Sequence, residues 1–331
     1  MLKHADDRTW LDLDPLYPPG LEQPNTTFKS MAIAFRAMGA DVDYVDLMGL
    51  SAAAFRIQVG AGLCPSSPHP SLGFRCDALV RETLAFELEE HPWDPRKPET
   101  VATARRAVVA SVDRGVPALA VEEETGLAVG YLGGGEEILV RHPYSRQGEG
   151  VEKLIEDHAW SFGVVVRPPD RPSRKALLRS LEAAVKLAHS ERFSTYASGF
   201  GAYEEWIATL SAEDLLERSG TEPGAVVVGN AHIYYCLVDA RRCASTYLRR
   251  IAPDLPEAAG PLEDAAGRYQ EIADRLEAGF EHVPWPRQLG SPADWGLDRR
   301  RLQAERLAEV RDRERAAVGA IEAAIGAASS R

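Results

Sequence analysis

The sequence has few cysteines, no long apolar run and no excess of positive charge. Four cysteines in 331 residues cannot form the dense disulfide framework of a small secreted protein, and we expect them to be reduced thiols. No stretch approaches the ~18 uninterrupted apolar residues of a membrane span. The first residues contain no apolar run that would serve as a signal peptide. These absences predict a cytoplasmic protein without a membrane partner.

The charge balance excludes another class of partner. A formal net charge of −12 argues against nucleic-acid binding, which needs a basic face.

Hydrophobic residues make up 45% of the chain, enough for a core. The length suits about two domains at ~150 residues each. No motif indicates a cofactor, so we predict none.

Two regions with different patterns of predicted secondary structure meet at residues 167–172, where three of six positions are proline. Short strands, helices and loops precede this segment, and helices with apolar stripes at helical spacing follow it. We therefore predict an α+β domain over 1–170, with helices packed on a short antiparallel sheet, and an all-helical domain over 171–331. The last helix, predicted over 298–328, could join a second copy of the chain or form a plain surface helix.

Local signals divide the first region further. Thr26 and Thr27 are candidate caps of a helix that stops at Gly39. Three consecutive glycines between two apolar runs indicate a hairpin turn. The remaining predictions are strands over 54–59, 116–121, 126–132, 136–141 and 162–167, and helices over 77–88 and 99–112.

This layout resembles the papain-like architecture of bacterial leader-peptide-processing cysteine peptidases. It is more similar still to the N-terminal domain of the butirosin-biosynthesis acyltransferase group. The resemblance covers roughly residues 15–170, on an N-terminal helix, a strand that begins near Gly126-Leu-Ala and a hairpin that ends in Arg141-His-Pro-Tyr.

The resemblance implies a cysteine at the start of the first helix, a histidine on a facing strand and an Asp or Asn on the next strand. In this chain the cysteine position falls at Asn25, Thr26 or Thr27, the histidine position at Leu127 and the acidic position at His142. A leucine cannot accept a proton. We therefore expect a degenerate member that is not a conventional protease, with Asn25, Thr26 and His142 as candidate ligand-binding residues. A threonine nucleophile would still need a base.

The richest concentration of reactive groups lies between Cys64 and Asp77. Cys76 begins a predicted helix, whose macrodipole and the neighbouring Arg75 would lower the pKa of the thiol. His69 could then act as its base. Alternatively, Cys76 is a small packed apolar residue. The candidates here are Cys76, His69 and Cys64 for catalysis and Ser66, Ser67, Arg75 and Asp77 for ligand binding. Cys64, His69 and Cys76 supply only three metal ligands at a spacing unlike zinc knuckles, so we predict no metal.

A second cluster lies after Asn230, where His232, Cys236, Asp239 and Cys243 share one side of a predicted helix. These residues either pack in the core beside the apolar face of the helix or line a pocket. In the second case His232 and Asp239 are candidate ligand-binding groups.

Three functions remain open. The first is a degenerate papain-like protein that binds a small or peptidic ligand in a cleft between its two domains. The second is a cysteine-dependent amide hydrolase or acyltransferase that uses Cys76 or Cys64 with His69. The third is a scaffold that acts through the helical domain.

Overall fold

The computed structural model describes residues 1–13, 23–143, 152–154, 156–217 and 222–329. The strands are β1 Leu2–Ala5, β2 Arg8–Leu11, β3 Gln58–Val59, β4 Glu87–Trp93, β5 Ala118–Val121, β6 Thr125–Leu132, β7 Glu137–Arg141, β8 Glu152–Lys153, β9 Trp160–Arg167, β10 Arg192–Phe193 and β11 Tyr196–Ser198. The helices are α1 Thr26–Ala37, α2 Tyr44–Leu50, α3 Cys76–Thr83, α4 Pro98–Asp113, α5 Arg174–His189, α6 Gly199–Ser211, α7 Pro223–Ile251, α8 Ala259–Glu277 and α9 Leu297–Ser329.

The chain divides into two compact units. Unit 1 comprises Met1–Leu47 and Leu84–Arg171, and unit 2 comprises Met48–Thr83 and Pro172–Arg331. The chain leaves unit 1 for the last time at Arg171, one residue after the end of the predicted first domain at residue 170. The segment Met48–Thr83, which the prediction assigned to the first domain, belongs to the helical unit instead.

Unit 1 is built on an antiparallel sheet with the strand order β1-β2-β6-β5-β9-β4, and β7 pairs with both β6 and β8. On one face, Ala118, Ala120 and Ala128 join a core with Val108 and Val112 of α4. Leu119 and Leu127 alternate with these alanines and are also buried, so the opposite face is covered too. Helix α1 contacts β5 and β6. The predicted α+β class with an antiparallel sheet is confirmed.

Several predicted elements are confirmed, and the hairpin turn at Gly133–Gly135 has positive φ at all three glycines. The helix predicted over 77–88 is wrong beyond Thr83, because the chain continues as strand β4, which pairs with β9 along its length. Pro92 is tolerated because β4 lies at the end of the strand order. The strand predicted over 54–59 is a 3-10 turn at Ala53–Phe55 followed by the short strand β3.

Unit 2 contains the predicted C-terminal helices. The prediction that residues 171–331 are all-helical is wrong, because β10 and β11 pair there and extend to β3 in a small sheet with the order β10-β11-β3. The centre of unit 2 is an ion pair between Arg241 of α7 and Glu314 of α9, both almost fully buried. Arg241 also donates from Nη1 to the carbonyl oxygens of Ala54 and Arg56, at 3.1 and 3.0 Å. Because a buried guanidinium needs all these partners, the contacts explain why Met48–Thr83 belongs with the C-terminal helices.

No helix within the described ranges is both long enough and apolar enough to cross a membrane.

Candidate functional site

The N-terminal end of α1 brings together three residues that the sequence singled out. Asn25 is the N-cap, and its Oδ1 accepts a hydrogen bond from the Phe28 N–H at 3.1 Å. Its own N–H donates to the Tyr44 hydroxyl at 3.2 Å. The prediction that a threonine caps this helix is therefore wrong, because the asparagine side chain satisfies the exposed N–H group.

Thr26 follows the cap and is buried. Its hydroxyl donates a short hydrogen bond to Glu124 Oε2 and accepts one from the Thr125 N–H at 3.2 Å. Glu124 and Thr125 stand where β5 turns into β6. The hydroxyl oxygens of Thr27 and Thr125 lie 2.9 Å apart. The hairpin therefore positions a carboxyl group against the first turn of α1.

His142 completes this arrangement from the end of β7. Its Nε2 lies 3.2 Å from the Glu124 carbonyl oxygen, which can only accept, so Nε2 carries the proton. Its ring meets Trp160 edge-to-face at 5.2 Å. A Cβ on Gly126 would stand 2.8 Å from His142 Cα and 2.3 Å from the Arg141 carbonyl oxygen. Only glycine therefore permits this close approach of β6 and β7.

We call Asn25, Thr26, Thr27, Glu124, Thr125 and His142 the Thr26 cluster. Burial raises the pKa of the Glu124 carboxyl group, and the Thr26 hydrogen bond opposes that rise. Burial lowers the pKa of His142, which favours the neutral imidazole. Two exposed carboxylates, Glu122 and Glu123, precede Glu124, and Glu122 lies 3.3 Å from His158 Nδ1.

The cluster does not form the dyad that the resemblance implies. His142 bonds to a backbone carbonyl, whereas the hydroxyl of Thr26 meets a carboxyl group. Leu127, at the expected histidine position, is buried, and all four cysteines belong to unit 2. Glu124 is not among the site residues predicted from the sequence. Its only signal was the run Glu122-Glu-Glu-Thr-Gly between two apolar segments.

The loop between Cys64 and Asp77 is organised around two side chains that precede it. The Arg56 guanidinium donates to the carbonyl oxygens of His69, Leu72 and Phe74 at 3.0–3.2 Å, and also to that of Pro68. Gln58 bonds to the backbone of the same loop through both its amide nitrogen and its amide oxygen. We call the segment 60–75 the Arg56 loop. Arg56 and Gln58, which precede this loop, bond to its backbone and stabilise its conformation.

Most of the predicted site residues between Cys64 and Asp77 have structural partners. Ser67 is fully buried, accepts from the Gly60 N–H at 2.9 Å and donates to the Cys64 carbonyl at 2.6 Å. Ser66 is exposed. His69 Nδ1 accepts from the Ser71 N–H at 3.2 Å, and burial lowers its pKa. Arg75 and Asp77 form a bidentate pair at 2.7 and 2.6 Å.

The expected low pKa of Cys76 is wrong. The Cys76 side chain is fully buried, and burial raises the pKa of its thiol. Loss of hydration outweighs both the helix N-terminus and the Arg56 charge. Cys64 is half-buried. Among the described residues, no three His, Cys, Asp or Glu side chains form a group that could hold a metal ion.

The second predicted cluster lies on α7. His232 Nε2 is 3.6 Å from Cys236 Sγ, and Asp239 Oδ2 is 4.0 Å from Cys243 Sγ. The four side chains therefore form two pairs on α7. Within each pair the two residues lie one helical turn apart.

Comparison with known proteins does not assign the chain to a family. No protein-family model matches it, and no curated protein matches its sequence.

Proposed function

We propose that this chain is a degenerate papain-like protein that binds a small or peptidic ligand at the Thr26 cluster and does not cleave it. The observation that carries the proposal is the hydrogen bonding of Thr26 at the start of α1. There the hydroxyl group accepts from the Thr125 N–H and donates to Glu124, at the helix start where the resemblance to papain-like proteins implies a thiol.

The carboxylates in and directly before the cluster support a ligand with an ammonium group. Glu122, Glu123 and Glu124 are consecutive, and the first two are exposed. Such a concentration of carboxylates attracts cations and repels anions. A peptide N-terminus or a small primary amine satisfies this requirement and can also donate hydrogen bonds to threonine hydroxyls.

Binding can be tested by NMR on protein with labelled threonine methyl groups. The probes are alanyl-phenylalanine and its N-acetyl derivative, which differ in the ammonium group. We expect saturable shifts at Thr26, Thr27 and Thr125 with the free dipeptide and clearly weaker shifts with the acetylated one. Thr100 and Thr103 of α4, in the same unit, serve as controls. Equal shifts at the control threonines, or none at the cluster, would contradict the proposal.

The same samples test the absence of proteolysis. We expect alanyl-phenylalanine to remain intact, because Leu127 cannot act as a base and His142 bonds to a carbonyl oxygen. Free alanine that appears in proportion to protein concentration, and disappears in a Thr26→Val variant, would show that the cluster is catalytic.

The Thr26–Glu124 hydrogen bond also favours a second candidate, acyl transfer through a threonine nucleophile. A carboxylate with a raised pKa is a stronger base than an ordinary one. In this alternative p-nitrophenyl acetate leaves an acetyl group on Thr26, and Glu124→Gln prevents the modification. Mass spectrometry of the digested protein distinguishes this candidate from binding alone.

A further inference from the structure

Helix α7 presents a nucleophile and a base that the proposed function does not use. His232 and Cys236 are four residues apart, so their side chains lie one turn apart on the same face. The separation of 3.6 Å between Nε2 and Sγ fits a hydrogen bond from the thiol to the imidazole. Both residues are half-buried, so the pair is partly accessible to solvent.

The imidazole is in the form that can accept this proton. Burial lowers the pKa of His232, which favours the neutral ring at neutral pH. A neutral imidazole at hydrogen-bond distance from a thiol is the arrangement in which a cysteine becomes nucleophilic, because the base takes the proton as sulfur attacks.

The other cysteines provide contrasts within the same unit. Cys243 has the same spacing from an acidic partner, Asp239, but it is buried and its partner is a carboxylate rather than an imidazole. Cys76 is fully buried with a raised pKa. Cys64 is half-buried like Cys236. It lies on the Arg56 loop beside Tyr196, so its neighbour is a phenol.

We propose that Cys236 is a reactive thiol activated by His232 and that it forms mixed disulfides with small disulfides. In this reaction Sγ attacks one sulfur of the disulfide while His232 Nε2 takes the thiol proton. A bond forms between Sγ and that sulfur, and the original S–S bond breaks. The departing thiolate takes the proton from the imidazolium. Cys236 is oxidised, the small disulfide is reduced, and the products are one protein mixed disulfide and one small thiol.

The test measures the rate at each cysteine with 2-hydroxyethyl disulfide, an uncharged probe that is insensitive to surface charge. Samples of the full chain are quenched with acid over time, digested and analysed by mass spectrometry. We expect Cys236 to react before Cys64 and both to react far before Cys76 and Cys243. A rate at Cys64 equal to or above that at Cys236 would overturn the proposal.

Variants isolate the role of the imidazole. We expect His232→Gln to slow the reaction at Cys236 at least tenfold and to leave the rate at Cys64 unchanged. Asp239→Asn is the matched control on the same helix and should change the Cys236 rate less than twofold. An unchanged Cys236 rate in a folded His232→Gln variant would disprove the activation.

A measurement without mutation covers the case in which His232→Gln fails to fold. In urea the four thiols lose their native surroundings and should react at similar rates. We expect Cys236 to react faster in the folded protein than in the urea-unfolded protein, despite its partial burial, and the other three cysteines to react more slowly when folded. A native rate at Cys236 below its unfolded rate would overturn the proposal.

Discussion

The Thr26 cluster and the Arg56 loop are both rich in polar side chains, but they use them differently. At the Arg56 loop, Ser67 of the loop and Arg56 and Gln58 just before it bond mainly to backbone groups within about 20 residues along the chain. In the Thr26 cluster, Thr26 and Thr27 bond to the side chains of Glu124 and Thr125, which lie 98 residues away along the chain. The first arrangement fixes a local conformation, whereas the second brings an ionisable group to a helix end.

This contrast shows why a local density of reactive residues is a poor guide to a site. Serine, histidine and arginine serve loops well because they can satisfy backbone groups that have no helix or strand partner. Side chains that meet from distant segments need a folded scaffold to do so, and such a meeting is more informative about function.

The largest expected effect tests the structural role of the Arg56 loop. Arg56→Ala removes the donors of four backbone carbonyls, and we expect it to lower the free energy of unfolding by about 3–5 kcal/mol. Arg75→Ala is the matched control: its exposed pair with Asp77 should contribute less than about 1 kcal/mol. Urea unfolding followed by circular dichroism measures both. Equal effects would show that the loop does not depend on Arg56.

The next effect tests the close approach that supports His142. In Gly126→Ala the new methyl group would collide with the backbone at Arg141 and His142, so we expect a loss of about 2–3 kcal/mol. The His142 ring should also lose its edge-to-face contact with Trp160, visible as a change in its imidazole NMR shifts. Gly134→Ala, where no atom lies within 4 Å of the added Cβ, adds only backbone strain from its positive φ and should leave those shifts unchanged.

A smaller effect tests the hydrogen bond between Thr26 and Glu124. Thr26→Val preserves shape but leaves the half-buried Glu124 carboxyl group without its hydroxyl donor, at a cost of about 1–2 kcal/mol. Because that donor opposes the rise in the Glu124 pKa, the pKa should rise further. Carbon-13 NMR titration of the Glu124 carboxyl group measures the change. Thr27→Val is the control and should move this pKa less.

The smallest effect is a pH dependence at Glu124. Since its folded pKa lies above its unfolded value, the folded state binds more protons than the unfolded state between the two values. The stability that this group contributes is therefore present at low pH and lost as pH rises through the folded pKa. The Glu124→Gln variant lacks this titration, so its stability relative to the unmodified protein should increase from pH 4 to pH 7. A difference independent of pH would mean that the carboxyl pKa is not raised.

Much of the fold could be predicted from local patterns. The glycine hairpin and the last helix, predicted over 298–328, depend on neighbours in sequence, and the structure has them where the patterns indicate. The strand β4 could not be predicted, because Leu84 and Leu88 also fit a helical stripe and only pairing with β9 decides between them. The membership of Met48–Thr83 in unit 2 likewise depends on partners almost 200 residues away, at Arg241.

The candidate site was only half predictable. The papain-like layout pointed to Asn25, Thr26 and His142, and these residues do lie together in the structure. Glu124 could not be identified, because an acidic residue in a turn usually faces solvent and nothing nearby in sequence indicates that it meets α1. The sequence left two interpretations of Cys76 open, because burial could not be read from its position at a helix start. Its complete burial confirms the packed residue and contradicts the lowered thiol pKa.

The hydrogen bonds from Arg241 to the carbonyl groups of Ala54 and Arg56 have a consequence for synthesis of the chain. These carbonyl groups emerge from the ribosome long before their guanidinium donor, and Glu314 follows later still. The segment Met48–Thr83 must therefore wait until Arg241 and Glu314 have been synthesised before it reaches its final surroundings. A chain cut at the proline seam would retain this segment without its donor, so such fragments should be insoluble or readily digested.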